Sequence, residues 1–306
     1  MLDFILRRLL QGVLVVFGVT TAVFLATRTF GDPVALMLPL SATAEQRAAF
    51  AAQLGLDQPL PTQFARFCWD ILTLNFGDST WQRRAAVDVV FERLPFSLML
   101  ISAGLGVAII LSVPLGAIAA LRPGGVVDRL TTSVGLLGLA MPQFWVGLMA
   151  IMVFAVWLKW LPTSGAGSVW HLVLPAATMA LAPLARFTMM VRANMIEELN
   201  KPYVKTARAK GLSLPRILRI HTLRNILVPF ISIAGWEFIT ALSGYTVVIE
   251  TVFAWPGLGN TAVQAIKRGD LFLMQAIVFI IAGLIVVISI LLDIIAKSVD
   301  PRIELN

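Results

Sequence analysis

Six long apolar stretches, separated by polar segments, set the pattern of the chain. A helix needs about 20 mainly apolar residues to cross a bilayer. The pattern predicts an all-α, polytopic membrane protein with six transmembrane helices and with both termini in the cytoplasm. The predicted spans are residues 1–27, 96–120, 130–158, 172–193, 225–249 and 272–296.

The composition agrees with a membrane protein. Hydrophobic residues make up 58% of the 306 residues, only 13% are charged, and the mean hydropathy is +0.86. The net charge of +7 does not indicate a nucleic-acid partner, because the basic residues lie mainly beside the apolar stretches, as in cytoplasmic loops. The positive charge instead favours contact with the membrane lipid.

Residues 28–94 form a polar insert after the first span. Local signals predict that it is helical, and the predicted topology, with the N-terminus in the cytoplasm, makes it extracytoplasmic. Thr43 and Gln46 form a capping box, Gly55 is placed to end that helix, and a second helix follows Pro59. A turn is predicted at 75–79. The insert is either a structural lid or part of a docking surface for another protein. The remaining residues, 95–306, form a five-helix core.

A strongly basic segment, residues 194–225, lies between the fourth and fifth spans. Asn200 and Pro202 predict the start of one short helix, Gly211 its end, and Ser213 with Pro215 the start of a second helix. An ordered, basic elbow is either an anchor on anionic lipid or a docking surface for a soluble protein. Between Arg186 and Arg224 we count nine basic residues: Arg186, Arg192, Lys201, Lys205, Arg208, Lys210, Arg216, Arg219 and Arg224.

This segment resembles the coupling loop of ABC-importer permeases of the dipeptide and oligopeptide branch. The resemblance rests on Tyr-Val-Lys-Thr-Ala-Arg-Ala-Lys-Gly-Leu at 203–212 and His-Thr-Leu-Arg-Asn at 221–225. Lys205-Thr206-Ala207 replaces the Glu-Ala-Ala of the general motif, whereas Gly211 is kept. Gly31-Asp32-Pro33 and Met141-Pro142-Gln143-Phe144-Trp145 are similar to further motifs of the same family.

The resemblance implies a permease subunit that forms half of a translocation path for peptides or similar small solutes. It implies a second homologous permease, two ATPase subunits that carry ATP and Mg, and an extracytoplasmic substrate-binding protein, all in a bacterial or archaeal plasma membrane. The coupling residues that it implies are Tyr203, Lys205, Thr206, Ala207, Arg208, Ala209, Lys210, Gly211 and Leu212.

Glu237 is a carboxyl group near the centre of the fifth span. A charge there costs about 2.5–3.5 kcal/mol on insertion scales and usually faces a partner or a cavity. Glu237 is therefore either a hydrogen-bonded contact between helices or an acidic wall of the translocation path. The test of the second interpretation is whether Glu237→Gln changes selectivity between neutral and cationic solutes.

Residues 250–259, Glu-Thr-Val-Phe-Ala-Trp-Pro-Gly-Leu-Gly, join the fifth and sixth spans. Aromatic and turn residues at a membrane edge indicate an interfacial or re-entrant segment. The string resembles the element that lies at the external gate in the same family. The gate residues that this resemblance implies are Phe253, Trp255, Pro256 and Gly257.

The sequence shows no motif for chemistry of its own. It has no Gly-Lys dipeptide and hence no phosphate-binding P-loop, and His171 and His221 are too far apart in the predicted topology for a metal site. We predict no catalytic residue, metal or cofactor in this chain. A secondary carrier or channel is the alternative function and predicts paired intramembrane charges. A scaffold without transport is a third possibility.

Overall fold

The structure is a computed structural model that describes residues 2–29, 34, 38, 41–53 and 55–299. The Gly31-Asp32-Pro33 motif therefore lies outside the described residues. The chain divides into two compact units, Met1–Ser97 with Pro256–Ile290 and Leu98–Trp255 with Leu291–Asn306. Two long helices, α4 (Ala86–Leu121) and α13 (Leu271–Val299), each contribute to both units.

The helices of the first unit include the N-terminal helix and the helical insert. They are α1 (Leu2–Thr29), α2 (Ala44–Gln53), α3 (Leu60–Leu72), the first part of α4, α12 (Leu258–Lys267) and most of α13.

The second unit contains the remaining helices. They are the rest of α4, then α5 (Val126–Ala140), α6 (Gln143–Ala150), α7 (Val169–Leu199), α8 (Pro202–Ala209), α9 (Leu214–Arg216), α10 (Leu223–Thr240), α11 (Thr246–Val252) and the end of α13. Three π-helical stretches continue α6, α9 and α10, namely Ile151–Trp157, Ile217–Thr222 and Ala241–Tyr245.

The predicted set of membrane helices is confirmed, with one span that is broken. Within the part of the chain that the structure describes, five helical segments are long and apolar enough to cross a membrane: Leu6–Thr27, Ala86–Leu121, Val169–Leu199, Leu223–Val252 and Leu271–Ser298. The predicted third span is the pair Val126–Ala140 and Gln143–Trp157, which bends by 103°. The break lies at Met141, which has extended backbone (φ −79°, ψ 132°) because a following proline disfavours the helical region.

The helical signals predicted in the insert are confirmed where the structure describes them. The backbone N–H of Thr43 donates to Gln46 Oε1 (2.9 Å), and the N–H of Gln46 donates to Thr43 Oγ1 (3.3 Å). Gly55 has φ +68°, a conformation that glycine adopts without steric cost. Two boundaries differ from the prediction: α4 begins at Ala86, and residues 75–79 lie between two turns, at 73–74 and 80–82.

A buried carboxylate fastens the end of the insert to α13 within the first unit. Asp270, 1% exposed, accepts hydrogen bonds from Ser79 Oγ (2.5 Å) and from the backbone N–H groups of Trp81 (3.1 Å) and Leu273 (3.1 Å). Leu273 belongs to the first turn of α13, so the carboxylate also satisfies a helix N-terminus. Arg268 lies over the Trp81 ring at 4.6 Å.

We expect Asp270→Ala to destabilise this unit by about 1.5–3 kcal/mol, because it leaves a buried hydroxyl and two backbone donors without their charged acceptor. Thermal unfolding of the purified protein in detergent measures the change. The matched control is Asp78→Ala, which removes an exposed carboxylate from the same segment and should change stability by less than about 0.5 kcal/mol. Equal effects of the two variants would contradict the structural role of Asp270.

Candidate functional site

The first helix of the basic segment forms as predicted, with a different N-cap. Helix α8 begins with Pro202 at its first position, where a missing N–H costs nothing, and Lys201 is the N-cap residue. Asn200, the predicted cap, instead ends α7, and its Nδ2 donates to the carbonyl of Ile196 (2.9 Å). The prediction of Asn200 as N-cap was therefore wrong, because α7 extends as far as Leu199.

Gly211 ends α8 in the way that the sequence predicts. Its φ is +79°, its N–H donates to the Arg208 carbonyl (2.9 Å), and the N–H of Leu212 donates to the Ala207 carbonyl (3.2 Å). Those two hydrogen bonds are the Schellman pattern, which satisfies carbonyls at a helix C-terminus. The reversal then directs the chain into the second helix.

We expect Gly211→Ala to destabilise this turn by about 1–2 kcal/mol, because a Cβ disfavours left-handed backbone. A Cβ at this position meets no other atom within 4 Å, so the cost is conformational and not a clash. Gly211→Asn should cost less, since asparagine tolerates this conformation. Hydrogen exchange of the 202–212 amides measures the change, and equal protection in all three proteins would contradict it.

The two faces of α8 have different roles. Val204 and Ala207 lie inside the elbow and pack with the fully buried Ile217 of the second helix. Of the nine residues that the sequence predicts for coupling, Ala207 is therefore buried, and Tyr203 and Leu212 are half-buried against the same cluster. The exposed residues on the outer face and at the end of α8 are Pro202, Lys205, Thr206, Arg208, Ala209, Lys210 and Gly211.

A carboxylate at the end of α7 ties the elbow to the neighbouring spans. Glu198 is 8% exposed and accepts hydrogen bonds from Lys201 Nζ, from the Tyr203 hydroxyl and from Asn225 Nδ2 (2.9 Å). The hydrogen bond to Glu198 raises the pKa of Lys201. The pKa of Tyr203 is also raised, mainly by burial and to a smaller extent by the hydrogen bond to Glu198. This role of Glu198 was not predicted, although a carboxyl group among many cations is a usable signal.

The second helix of the elbow is not a separate short helix. Ser213 is its N-cap residue, as predicted, but α9 continues through the π-helical stretch into α10. Pro229 lies inside α10 and does not end the elbow helix. A movement of α8 against Ile217 would therefore act directly on the fifth span.

Two of the nine basic residues do not belong to the elbow surface. Arg192 lies in α7 and forms a bidentate ion pair with Asp128 of α5, through Nε to Oδ1 and Nη2 to Oδ2 (2.6 Å). Asp128 also accepts the N–H of Gly124 (2.7 Å) and is 4% exposed. The pair fastens the loop before α5 to the C-terminal half of α7. The count of loop cations was therefore too high, because α7 carries Arg186 and Arg192.

Glu237 is paired with Arg186, the other arginine that α7 carries. Arg186 donates through Nε to Glu237 Oε1 and through Nη2 to Oε2 (2.7 Å), and the Tyr245 hydroxyl donates to Oε2 (2.7 Å). The Glu237 side chain is 4% exposed and that of Arg186 is 38% exposed. This geometry is that of a hydrogen-bonded contact between two spans, the first of the two interpretations. A place for Glu237 on a translocation path stays a prediction.

The predicted gate segment is closely packed on the side that belongs to the second unit. Phe253 and Trp255 are each 1% exposed, and Ala254 between them has φ +46°. The Phe253 carbonyl accepts the N–H of Gly165 (3.0 Å). Gly257 is the N-cap residue of α12, in the first unit, where the N–H of Leu258 donates to Ser97 Oγ (2.7 Å). Their role in a gate stays a prediction.

These features define a multi-span helical membrane protein with an ordered, basic elbow between two spans. Family comparisons identify it more closely. Residues 112–305 match the model of the binding-protein-dependent transport system inner membrane component, and residues 1–101 match the model of the N-terminal part of such components. The chain belongs to this family and is a permease subunit of an ABC importer, a transport subunit and not an enzyme.

Curated relatives match along almost the entire chain. The oligopeptide transport system permease protein AppB of Bacillus subtilis is 36% identical, over 99% of this chain and 100% of its own. The dipeptide transport system permease protein DppB of Escherichia coli is 32% identical, over 99% of both chains. An inward-facing MetNI methionine ABC transporter shares the fold, with a TM-score of 0.57 and 20% identity over 69% of this chain and 96% of its own.

Family membership decides against the alternative of a self-contained secondary carrier. The structure contains one ion pair of the kind expected of a carrier, between Arg186 and Glu237. An ion pair of two helices is also an ordinary way to hold charges inside a membrane. The pair therefore does not outweigh a family match that covers most of the chain.

Proposed function

We propose that this chain takes up peptides or similar small solutes, as one half of an ATP-driven translocation path, and that α8 transmits the movement of an ATPase. The observation that carries this proposal is the division of α8 into an inner face, Val204 and Ala207, and an exposed outer face. The inner face makes the elbow rigid, and the outer face is available to a partner. The names of the full-length relatives support peptides as the solute class.

The outer face has the chemistry of a protein-docking surface. Its centre carries the short, exposed side chains of Pro202, Thr206 and Ala209, and Lys205 and Arg208 lie beside them on one side of the helix. A lipid anchor needs only the cations. It does not need the inner packing on Ile217 or the Glu198 contacts, which fix α8 relative to two spans.

The assembly that we propose has a second homologous permease, two ATPase subunits that bind ATP and Mg, and a substrate-binding protein outside. The proposed organisation is a first transmembrane helix at 1–27, an extracytoplasmic insert at 28–94, and a core at 95–306 with the coupling loop at 194–225. Both termini are then cytoplasmic. The basic loops support this orientation, since such loops remain inside.

The topology is tested by labelling single cysteines in intact cells. Cys68 is the chain's one cysteine, so Cys68→Ser provides the background. In that background, an impermeant maleimide should label Thr80→Cys from outside and label Thr206→Cys only after the membrane is permeabilised. Both positions are exposed, which makes them a matched pair. Labelling of Thr206→Cys in sealed cells would contradict the proposed orientation.

The function is tested by purification and reconstitution of the complex. An ATPase should copurify with this chain, and proteoliposomes should accumulate labelled dipeptide only with ATP and a binding protein. ATP-driven uptake of a different solute class with no peptide uptake would overturn the substrate while leaving the permease role. Uptake without any ATPase would overturn the proposed coupling.

A further inference from the structure

We infer that Arg186 is a carboxylate-recognising residue on the path of this permease, and that Glu237 and Tyr245 hold its guanidinium in place. The inference rests on the proposed transport of peptides, or of other solutes with a carboxylate, through this chain. Arg186 lies near the middle of α7, and Glu237 lies near the middle of the span Leu223–Val252. The three side chains belong to the same compact unit.

The hydrogen bonds leave one edge of the guanidinium available. Nε and Nη2 donate to the two oxygens of Glu237, and Nη2 also donates to the Tyr245 hydroxyl (3.1 Å). Among the residues that the structure describes, Nη1 has no hydrogen-bond partner. Its two N–H groups can therefore bind a carboxylate oxygen without breaking the pair with Glu237.

Burial places the accessible charge on arginine and not on glutamate. The Arg186 side chain is 38% exposed, whereas that of Glu237 is 4% exposed and has both oxygens occupied. A solute that passes this point meets a cation. The accessible group is therefore a guanidinium held by Glu237, and its Nη1 can donate to a carboxylate oxygen.

The face of α7 that carries Arg186 is buried on the N-terminal side of this residue and exposed on the C-terminal side. Toward the N-terminal end of α7, Pro175, Met179 and Ala182 on this face are buried. Toward its C-terminal end, Ala193 and Glu197 on the same face are exposed. Arg186 is thus the innermost accessible group of an open stripe, a position that a solute in the path would reach.

A guanidinium that is partly exposed inside a membrane is costly against lipid, and such a group usually faces a water-filled cavity or protein. The Arg186 side chain is 38% exposed. A second permease that covers this face of α7 is the competing occupant.

The first experiment compares a peptide acid with its amide in the full reconstituted importer. Uptake of dialanine and of its C-terminal amide is measured with saturating binding protein, for wild type, Arg186→Lys and the double variant Arg186→Gln/Glu237→Gln. The double variant removes both charges together and so leaves no unpaired Glu237. For each probe, uptake by the variant is divided by uptake by wild type, and this ratio removes the preference of the binding protein from the comparison.

We expect the double variant to lower acid uptake at least tenfold and amide uptake less than twofold, and Arg186→Lys to recover part of the acid uptake. An equal loss for acid and amide would overturn the inference and leave the pair a structural contact. If wild type takes up neither probe while the binding protein still stimulates ATP hydrolysis, the proposal of peptide transport fails, and a second measurement decides on Arg186.

That measurement is chemical modification of the purified wild-type complex by phenylglyoxal, with adducts mapped by mass spectrometry. Arg186 should react, and N-acetylglycine should slow its reaction at least threefold while N-acetylglycinamide should not. Arg122, exposed in the loop between α4 and α5, is the internal control whose rate neither probe should change. An unreactive Arg186 would show that another subunit covers it, and equal rates with both probes would show no carboxylate recognition. Either result overturns the inference.

Discussion

Ala209→Trp should reduce ATP-driven uptake at least tenfold and leave the permease folded. Ala209 is the last residue of α8 and lies on its exposed outer face, beside Pro202 and Thr206. A large ring there prevents the close approach that a helix makes to a protein groove. The free permease loses nothing, because the side chain at 209 is exposed. Uptake by proteoliposomes and ATPase copurification measure the two consequences.

The control for this prediction is Ala209→Ser, which keeps the side chain small at the same position and should retain most of the uptake. Ala207→Asp provides the opposite case, because Ala207 is 8% exposed and packs inside the elbow. That variant should damage the elbow itself and alter hydrogen exchange of α8. Normal uptake by Ala209→Trp would mean that the outer face of α8 does not contact a partner closely.

Arg192→Met should destabilise the protein by about 3–5 kcal/mol, because it leaves the Asp128 carboxylate buried without its partner. The double variant Arg192→Met/Asp128→Asn should recover most of this loss, since it removes both charges of the pair. The free energy of unfolding, measured by steric trapping or by thermal unfolding in detergent, gives the coupling between the two residues.

The exposed pair Arg84 and Glu92 is the reference for this comparison. Their side chains are 40% and 45% exposed, and their closest atoms are 2.6 Å apart. Exposed ion pairs contribute about 0–1 kcal/mol, so Arg84→Met should have a small effect. Equal losses in the single variant Arg192→Met and in the double variant would show that the buried pair is not coupled.

Local signals predicted local structure well. The capping box of Thr43 and Gln46 and the left-handed Gly211 follow from residues that are close in sequence, and both are confirmed. The broken third span was also accessible in principle. A proline inside the apolar run 130–158 indicates a kinked span, and Met141-Pro142 restricts the backbone before the proline, whereas the size of the bend, 103°, does not follow from the sequence.

Contacts between distant segments were the part that could not be predicted. Arg186 and Arg192 read as loop cations, and only the packing of α7 on its neighbours shows that Glu237 and Asp128 neutralise them. Ala207 was assigned to the contact surface together with its neighbours. Its inward direction depends on where Ile217 lies, which a motif in one segment does not define.

Docking of α8 on an ATPase can be tested by crosslinking within the assembled importer. A photoreactive residue at Thr206, on the outer face of α8, should crosslink to an ATPase subunit and should do so differently with and without ATP. The same residue at the exposed Thr80 in the insert is the control and should give no such product. Crosslinks from position 206 to lipid alone would show that the elbow is a lipid anchor and not a docking surface.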